Sequence, residues 1–200
     1  GITNNMTVDF TINPDFGQVE ADPSEVNLTA YETFFQEKRP FFVEGKNITS
    51  FSVGIGDGDL GNDNLFYTRR IGRSPHLSAD TEDNEFSRAP LNTSIIGATK
   101  ITGKTKEGLS IGILEAVTAR EEADIDSLGE RTHQAVEPLT NYFVARVMKD
   151  YNDGNTIIGG GYTNTHRFFD GTEINSLTTS ANTGGGDFQQ VFDNKKRFLS

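Results

Sequence analysis

The densest run of potential metal ligands is Asp57-Gly58-Asp59-Leu60-Gly61-Asn62-Asp63-Asn64, which sets carboxylates and amides at close spacing in a glycine-rich segment. Hard cations such as calcium take oxygen ligands of this kind, so Asp57, Asp59 and Asp63 are the candidate metal ligands. The run is not an EF-hand loop, because the glycine at the sixth position and the terminal bidentate glutamate are missing. A flexible acidic loop is the competing account and needs no ion. Glu115, Glu121 and Glu122 are the acids that would have to supply a glycosidase carboxylate pair. Spacing along a strand fixes neither their separation nor a raised pKa, and wall or surface acids are the favoured reading. His76, His133 and His166 lie in three separate polar segments, and the chain has no cysteine, so neither a thiol nucleophile nor a zinc-thiolate site is available. No catalytic residue is assigned.

Positive charge is concentrated in two places, Glu37-Lys38-Arg39-Pro40 and Arg69-Arg70-Ile71-Gly72-Arg73. Two uses stand for this cluster of Glu37, Lys38, Arg39, Arg69, Arg70 and Arg73. Its arginines would pair internally with Asp9, Glu20 or Glu32, which compensates buried charge, or they would line a lumen and bind anions or sugar acids. Internal pairing is favoured. Phe34, Phe35, Phe41, Phe42 and Phe51 would form either an inner packing cluster or an interfacial girdle, with sugar stacking as a third use.

The stretch Asn13 to Gly45, NPDFGQVEADPSEVNLTAYETFFQEKRPFFVEG, combines turn residues, acids and paired phenylalanines. With Leu65 to Arg73 (LFYTRRIGR), Thr93 to Lys104 (TSIIGATKITGK), Ser110 to Glu122 (SIGILEAVTAREE) and Glu137 to Val147 (EPLTNYFVARV), it resembles domain of unknown function 5916. The resemblance implies an outer-membrane β-barrel domain of Gram-negative bacteria, usually placed after a carbohydrate-binding module of the family-nine type. It implies no reaction. Asp57 to Asn64 and Ser74 to Arg88 depart from the pattern and inherit nothing from it.

Hydrophobic residues make up 34% of the 200, with 21 glycines and a mean hydropathy of -0.49, which is thin for a water-soluble core of that size. No stretch reaches the roughly 18 consecutive apolar residues of a membrane helix. Membrane strands need only about 10 residues of alternating polarity, so composition leaves a barrel open. A net charge of -11 argues against nonspecific binding of nucleic acid through its phosphates. Absence of cysteine decides little about compartment. No charged and then apolar leader is present, so any export signal would lie upstream or the protein is not exported, and the chain is expected to be an excerpt because the hairpin at Asp193-Asn194 reads as having its second strand cut off.

Met6 to Asn13 alternates, with Val8, Phe10 and Ile12 on one face, as in a half-buried strand. Leu28 to Glu37 has helical spacing stopped by Pro40, and Phe41-Phe42-Val43 is expected to be extended. Ser94–Lys104 and Leu109–Arg120, joined by Thr105 to Gly108, form one expected antiparallel hairpin. Asn141–Asp150 and Thr156–Thr165, joined through Asp153-Gly154, form the next. Gly159, Gly160 and Gly161 suit a strand that curves or is packed closely. Asp124 to Val136 and Phe168 to Thr183 read as long polar loops, and Asp193-Asn194 as a hairpin turn. Short turns alternating with long loops suit an outer-membrane barrel.

The reading is an all-β antiparallel meander forming part of a transmembrane outer-membrane β-barrel, with a short internal helical or irregular segment. Residues 1–45 would be the first strand and internal segment, 46–90 loop-rich, and 91–200 the hairpins of a single domain. Its expected partners are outer-membrane lipid and, through an upstream module, glycans. A glycoside hydrolase-like protein and a soluble β-sheet adhesion module are the alternatives. From its phenylalanine and charge content, Leu28 to Gly45 is expected to tuck against the sheet with Arg39 meeting an acid.

Overall fold

The computed structural model describes residues 5–14, 35–51, 64–169, 176–192 and 197–199. The fold is all-β and antiparallel. The described residues form ten strands: β1 (Met6–Ile12), β2 (Glu85–Arg88), β3 (Ile95–Lys104), β4 (Leu109–Thr118), β5 (Glu121–Ser127), β6 (Glu130–Glu137), β7 (Leu139–Tyr151), β8 (Thr156–Phe168), β9 (Ser180–Phe192) and β10 (Arg197–Leu199). Seven form one sheet in the order β1-β3-β4-β7-β8-β9-β10, and β2-β5-β6 form a second. Among the described residues β1 and β10 are unpaired edges, so the large sheet stays open.

Both expected hairpins are present. Leu114 of β4 lies opposite Lys100 of β3, and Val144 of β7 opposite Thr163 of β8. The turns are set by residues that tolerate positive φ: Gly108 (83°) in the first, and Asn152, Asp153 and Gly154 (54°, 55° and 85°) in the second. Gly108 is fixed for a second reason, since a Cβ there would lie 2.8 Å from the Asp150 carbonyl oxygen.

Several expectations fail, one of them at Ser180 to Thr183, which begin β9 and are not part of a polar loop. Asp124 to Val136 is not a loop but most of the β5–β6 hairpin, whose turn carries Leu128 (φ 53°) and Gly129 (φ 92°). Leucine is a poor residue for positive φ, and the Gly129 amide donates to Asp126 Oδ1 at 3.1 Å, a local bond that holds this turn. Phe41-Phe42-Val43 is not extended either. Pro40 opens a single helical turn, α1 (Pro40–Val43), instead of stopping a helix, because its missing N–H costs nothing at the first helical position. Of the expected helix Leu28 to Glu37, residues 28–34 lie outside the described residues, and Phe35 to Glu37 are not helical. The expected turn at Asp193-Asn194 also lies outside them, although β9 and β10 pair antiparallel on either side.

Gly45, at φ 69°, joins α1 to a second turn, α2 (Lys46–Thr49), and Thr68–Arg70 forms a 3-10 turn. These pieces lie on one face of the large sheet. Phe42, Ile71, Ile95, Ala98, Leu114, Ala116, Tyr142 and Val144 form the buried core between them, with Phe41 and Phe66 packed against it. We call Phe35–Phe51 together with Asn64–Ile71 the inner segment.

Candidate functional site

Strand parity sorts the side chains of the large sheet onto two faces. The face beneath the inner segment carries Asp9, Lys100, Thr102, Ser110, Thr118, Thr140, Arg146, Thr163 and Asp187. Of these, Lys100, Thr102, Ser110, Thr118, Thr140, Arg146 and Thr163 are buried. The opposite, uncovered face carries Val8, Ile101, Ile111, Ile113, Phe143, Ala145, Val147, Ile158 and Tyr162. Every strongly exposed apolar side chain of β1, β7, β8 and β9 stands on that face, from Phe10 at 73% and Ile12 at 75% to Phe168, Phe188 and Phe192. Most polar side chains there answer one another. Glu115 accepts from Asn141 Nδ2, Tyr162 donates to Asn182 Oδ1 at 2.6 Å, and Thr156 donates to Gln190 Oε1 at 2.8 Å. The covered face is mixed, because Ala98, Leu114, Ala116, Tyr142 and Val144 of the core stand on it beside these polar residues, whereas the uncovered face is predominantly apolar and exposed.

Charged groups join the two parts of the inner segment to each other and hold it to the sheet. Glu37 and Arg39 form a buried bidentate pair, Arg39 Nε to Oε1 at 2.8 Å and Nη2 to Oε2 at 2.7 Å. Arg39 Nη1 and Nη2 also donate to the carbonyls of Ile71 (2.6 Å) and Thr68 (3.0 Å), which joins residues 37–39 to 68–71. Tyr67 completes this joint, its hydroxyl accepting from the Phe35 amide at 2.8 Å and donating to the Phe35 carbonyl at 3.0 Å. Lys100, 2% exposed, reaches out of β3 to donate to the carbonyls of Phe41 (2.6 Å) and Glu44 (2.7 Å), and sits 3.6 Å from Asp9 Oδ2. Further along the wall Arg146 Nη2 meets Asp187 Oδ2 at 3.0 Å, with the guanidinium 4.5 Å from the centre of the Phe51 ring.

Burial pushes the Glu37 carboxyl up, but hydrogen bonds and charge from Arg39, with the Thr68 hydroxyl, outweigh it and hold the group below its ordinary 4.5. A carboxyl depressed in the folded state stabilises the fold fully above its unfolded pKa and loses that contribution as pH falls through the folded one. The stability gap between the wild type and Glu37→Gln is therefore expected to hold steady above about pH 6 and to shrink progressively below about pH 4.5. Denaturant unfolding across pH checks this, and a gap unchanged down to about pH 3 would contradict it.

Residues 36–39 and 68–71 of the expected charge cluster meet through Arg39 and Arg69. Arg39 pairs with Glu37, whereas Asp9 meets Lys100; Glu20 and Glu32 lie outside the described residues. Lys38 is half-buried beside this pair, its amide donating to Glu37 Oε1 at 3.1 Å. Arg69 is half-buried, donates to the Gln36 carbonyl at 3.3 Å and stacks over Phe35. Arg70 and Arg73 are exposed, Arg73 donating to the Ser74 carbonyl at 3.2 Å. Asp57, Asp59 and Asp63 lie outside the described residues, among which no group of three or more His, Asp or Glu is placed to hold a metal. Glu121 accepts from the Ser94 amide at 2.6 Å, Glu122 pairs with Arg120, and Glu115 faces outward, so each answers a local partner. His76 and His133 stand against Glu137 and Asp124, and His166 lies edge-on to Phe168.

Sequence reasoning missed Lys100, Arg146, Asp187 and Tyr67. A signal for the first two was present, since each is a charge inside its strand, in phase with Ser, Thr and Gly positions of its strand neighbours. Between the inner segment and the sheet lies a cleft of about 420 Å³ lined by Phe35, Gln36, Lys46, Thr49, Phe66 and Tyr67 among others.

A family model described as domain of unknown function (DUF5916) matches residues 1–196. The chain belongs to this family. No curated protein and no solved structure matches it.

Proposed function

We propose that this chain supplies adjacent strands of a bacterial outer-membrane β-barrel whose inner segment occupies the lumen as a plug, in a protein of glycan-associated context. The broad exposed apolar face of the large sheet, with Lys100 and Arg146 buried on the other side, carries the reading. An apolar face this broad, left to water, would be an aggregation hazard, whereas hydrocarbon accepts it without penalty. Lys100, Arg146, Asp9 and Asp187 would then face a lumen, where buried charge can be paired. Strand length agrees, because β7, β8 and β9 each run 13 residues and a spanning strand needs about 9 to 11. Phe10 and Phe168 stand toward one end of the apolar face and Tyr151, Phe188 and Phe192 toward the other, the placement expected of interfacial girdles.

The connections supply an orientation. Four-residue turns close β3–β4 and β7–β8 at one end, while residues 13–94, 119–138 and 169–179 connect strands at the other. Barrels of this kind keep short turns on the periplasmic side. The β2-β5-β6 sheet and both ends of the inner segment's connection would then lie outside the cell.

A pair of lysine substitutions tests the reading. Ile113→Lys, on the uncovered face, is expected to cost about 2–4 kcal/mol and block membrane assembly, because a charge would meet hydrocarbon. Thr183→Lys, on the opposite face, is expected to assemble normally. Detergent extraction of the membrane fraction provides the measurement, and equal assembly of the two variants would sink the barrel reading. Recovery of the intact protein as a detergent-free monomer would favour the soluble adhesion module.

A further inference from the structure

We propose that the arm Lys46 to Phe51 is a detachable latch, seated by the Phe51 ring in a glycine-floored socket of the wall, whose release opens a path for small hydrophilic solutes. This rests on the barrel reading. The socket is built by two strands. β8 carries Gly159-Gly160-Gly161 and β9 carries Gly184-Gly185-Gly186, in a register that sets Gly161 opposite Gly185 and Gly160 opposite Gly186. On the covered face Gly161 and Gly185 leave bare backbone, and the Phe51 ring lies on it. A Cβ on Gly161 would stand 2.8 Å from Phe51 Cδ2, and one on Gly185 would stand 3.2 Å from Cζ. Arg146 covers the ring from the next strand.

The same seat carries a standing cost. Arg146 is 7% exposed, and its Nε and Nη1, like Asp187 Oδ1, are shielded from solvent with no hydrogen-bond partner among the described residues. Ring burial and the cation–π contact favour the latched state, while an ion pair stripped of part of its hydrogen bonding opposes it. When Phe51 leaves, water can reach those three atoms. Opposing contributions of this kind bring two arrangements close in free energy.

The rest of the arm rests on bare backbone at Gly112 through Ile48 and Thr49, and one backbone bond, from the Leu65 amide to the Phe51 carbonyl at 2.8 Å, ties its end to the other half of the inner segment. α2 has no buried residue, and Phe51 is the buried residue of the arm. α1, by contrast, is fixed through Phe42 in the core and by Lys100 at its carbonyl end. Gly45, with its left-handed backbone, separates the fixed part from the arm and supplies the pivot. The cleft beside the arm, with Lys46 and Thr49 in its lining, would widen as the arm lifts.

The test is solute uptake by liposomes holding the intact protein, read by swelling in a neutral monosaccharide. Phe51→Ala is expected to raise the swelling rate at least threefold. Thr49→Cys with Gly112→Cys supplies a lock, since a Cβ on Gly112 would lie 2.9 Å from Thr49 Cγ2 and the chain has no other cysteine. The oxidised pair is expected to abolish residual uptake and reductant to restore it. Phe51→Ala inserting like the wild type with unchanged uptake would overturn the latch and leave the barrel standing. If Phe51→Ala fails to insert, the lock decides, and equal uptake with and without reductant overturns the latch. Failure of the wild-type protein to enter bilayers overturns both.

Discussion

Lys100→Met is expected to cost about 3–5 kcal/mol, because it removes one partner of a buried charge arrangement while nearly conserving side-chain length. Two carbonyls at the end of α1, those of Phe41 and Glu44, would lose the ammonium that satisfies them. A helix end is where such oxygens lack backbone partners and where a cation is best placed. Asp9, whose side chain is 28% exposed, would lose its countercharge as well. Asp9→Asn should therefore cost much less than Lys100→Met, since it leaves both carbonyl bonds intact. Hydrogen exchange gives the local readout. The amides of Val43 and Glu44, which bond to the carbonyls of Arg39 and Pro40, should exchange faster in Lys100→Met, while amides of the β7–β8 hairpin change little. Global stability within about 1 kcal/mol of the wild type would show that α1 is held by Phe42 alone.

What could be read from sequence divides along physical lines. The β3–β4 and β7–β8 hairpins were legible because each pairs two alternating runs of matched length around residues that accept positive φ. The β5–β6 hairpin was not. Glu121-Glu122-Ala123-Asp124 and Arg131-Thr132-His133-Gln134 are polar at most positions, so no period of two stands out, and Leu128-Gly129 lacks the usual turn chemistry. The apolar residues that the two strands bury, Ala123, Ile125, Ala135 and Val136, are too few among polar neighbours to mark the period. α1 was missed because proline was read as a stop, whereas Pro40 occupies the one helical position that wants no donor. The density of phenylalanine and charge around Arg39 did point to a packed inner segment. Its attachment did not follow, because the carbonyls that Lys100 and Arg39 reach are main-chain groups and leave no trace in residue types. Alternation alone also left open which face of the sheet is covered. That became visible only once Lys100, Arg146 and Thr163 were found buried and Ile158, Phe188 and Phe192 exposed.

Arg39→Met is expected to be the most damaging single change, because Arg39 joins three pieces of chain at once. Its guanidinium holds both oxygens of Glu37, the carbonyls of Thr68 and Ile71, and a face of Phe42 at 4.3 Å. Glu37 has a side chain only 2% exposed, so the substitution leaves a buried carboxylate without its countercharge, although the Lys38 and Arg39 amides and the Thr68 hydroxyl still donate to it. Stranding one member of a buried pair costs about 3–5 kcal/mol, whereas replacing both members with apolar groups of similar volume is often close to neutral. Glu37→Leu with Arg39→Met should accordingly recover more than half of the loss seen in Arg39→Met alone. Recovery will be incomplete, since both variants lose the Arg39 bonds to the Ile71 and Thr68 carbonyls, and the Thr68 carbonyl keeps the Ile71 amide. Arg39→Lys should fall between, because a single ammonium cannot span both Glu37 oxygens and both carbonyls as the planar fork does. Denaturant unfolding of the three variants measures the series. A double variant no more stable than Arg39→Met would mean that the lost carbonyl bonds, and not the stranded carboxylate, carry the cost, and that residues 68–71 are held to 37–39 chiefly through main-chain oxygens.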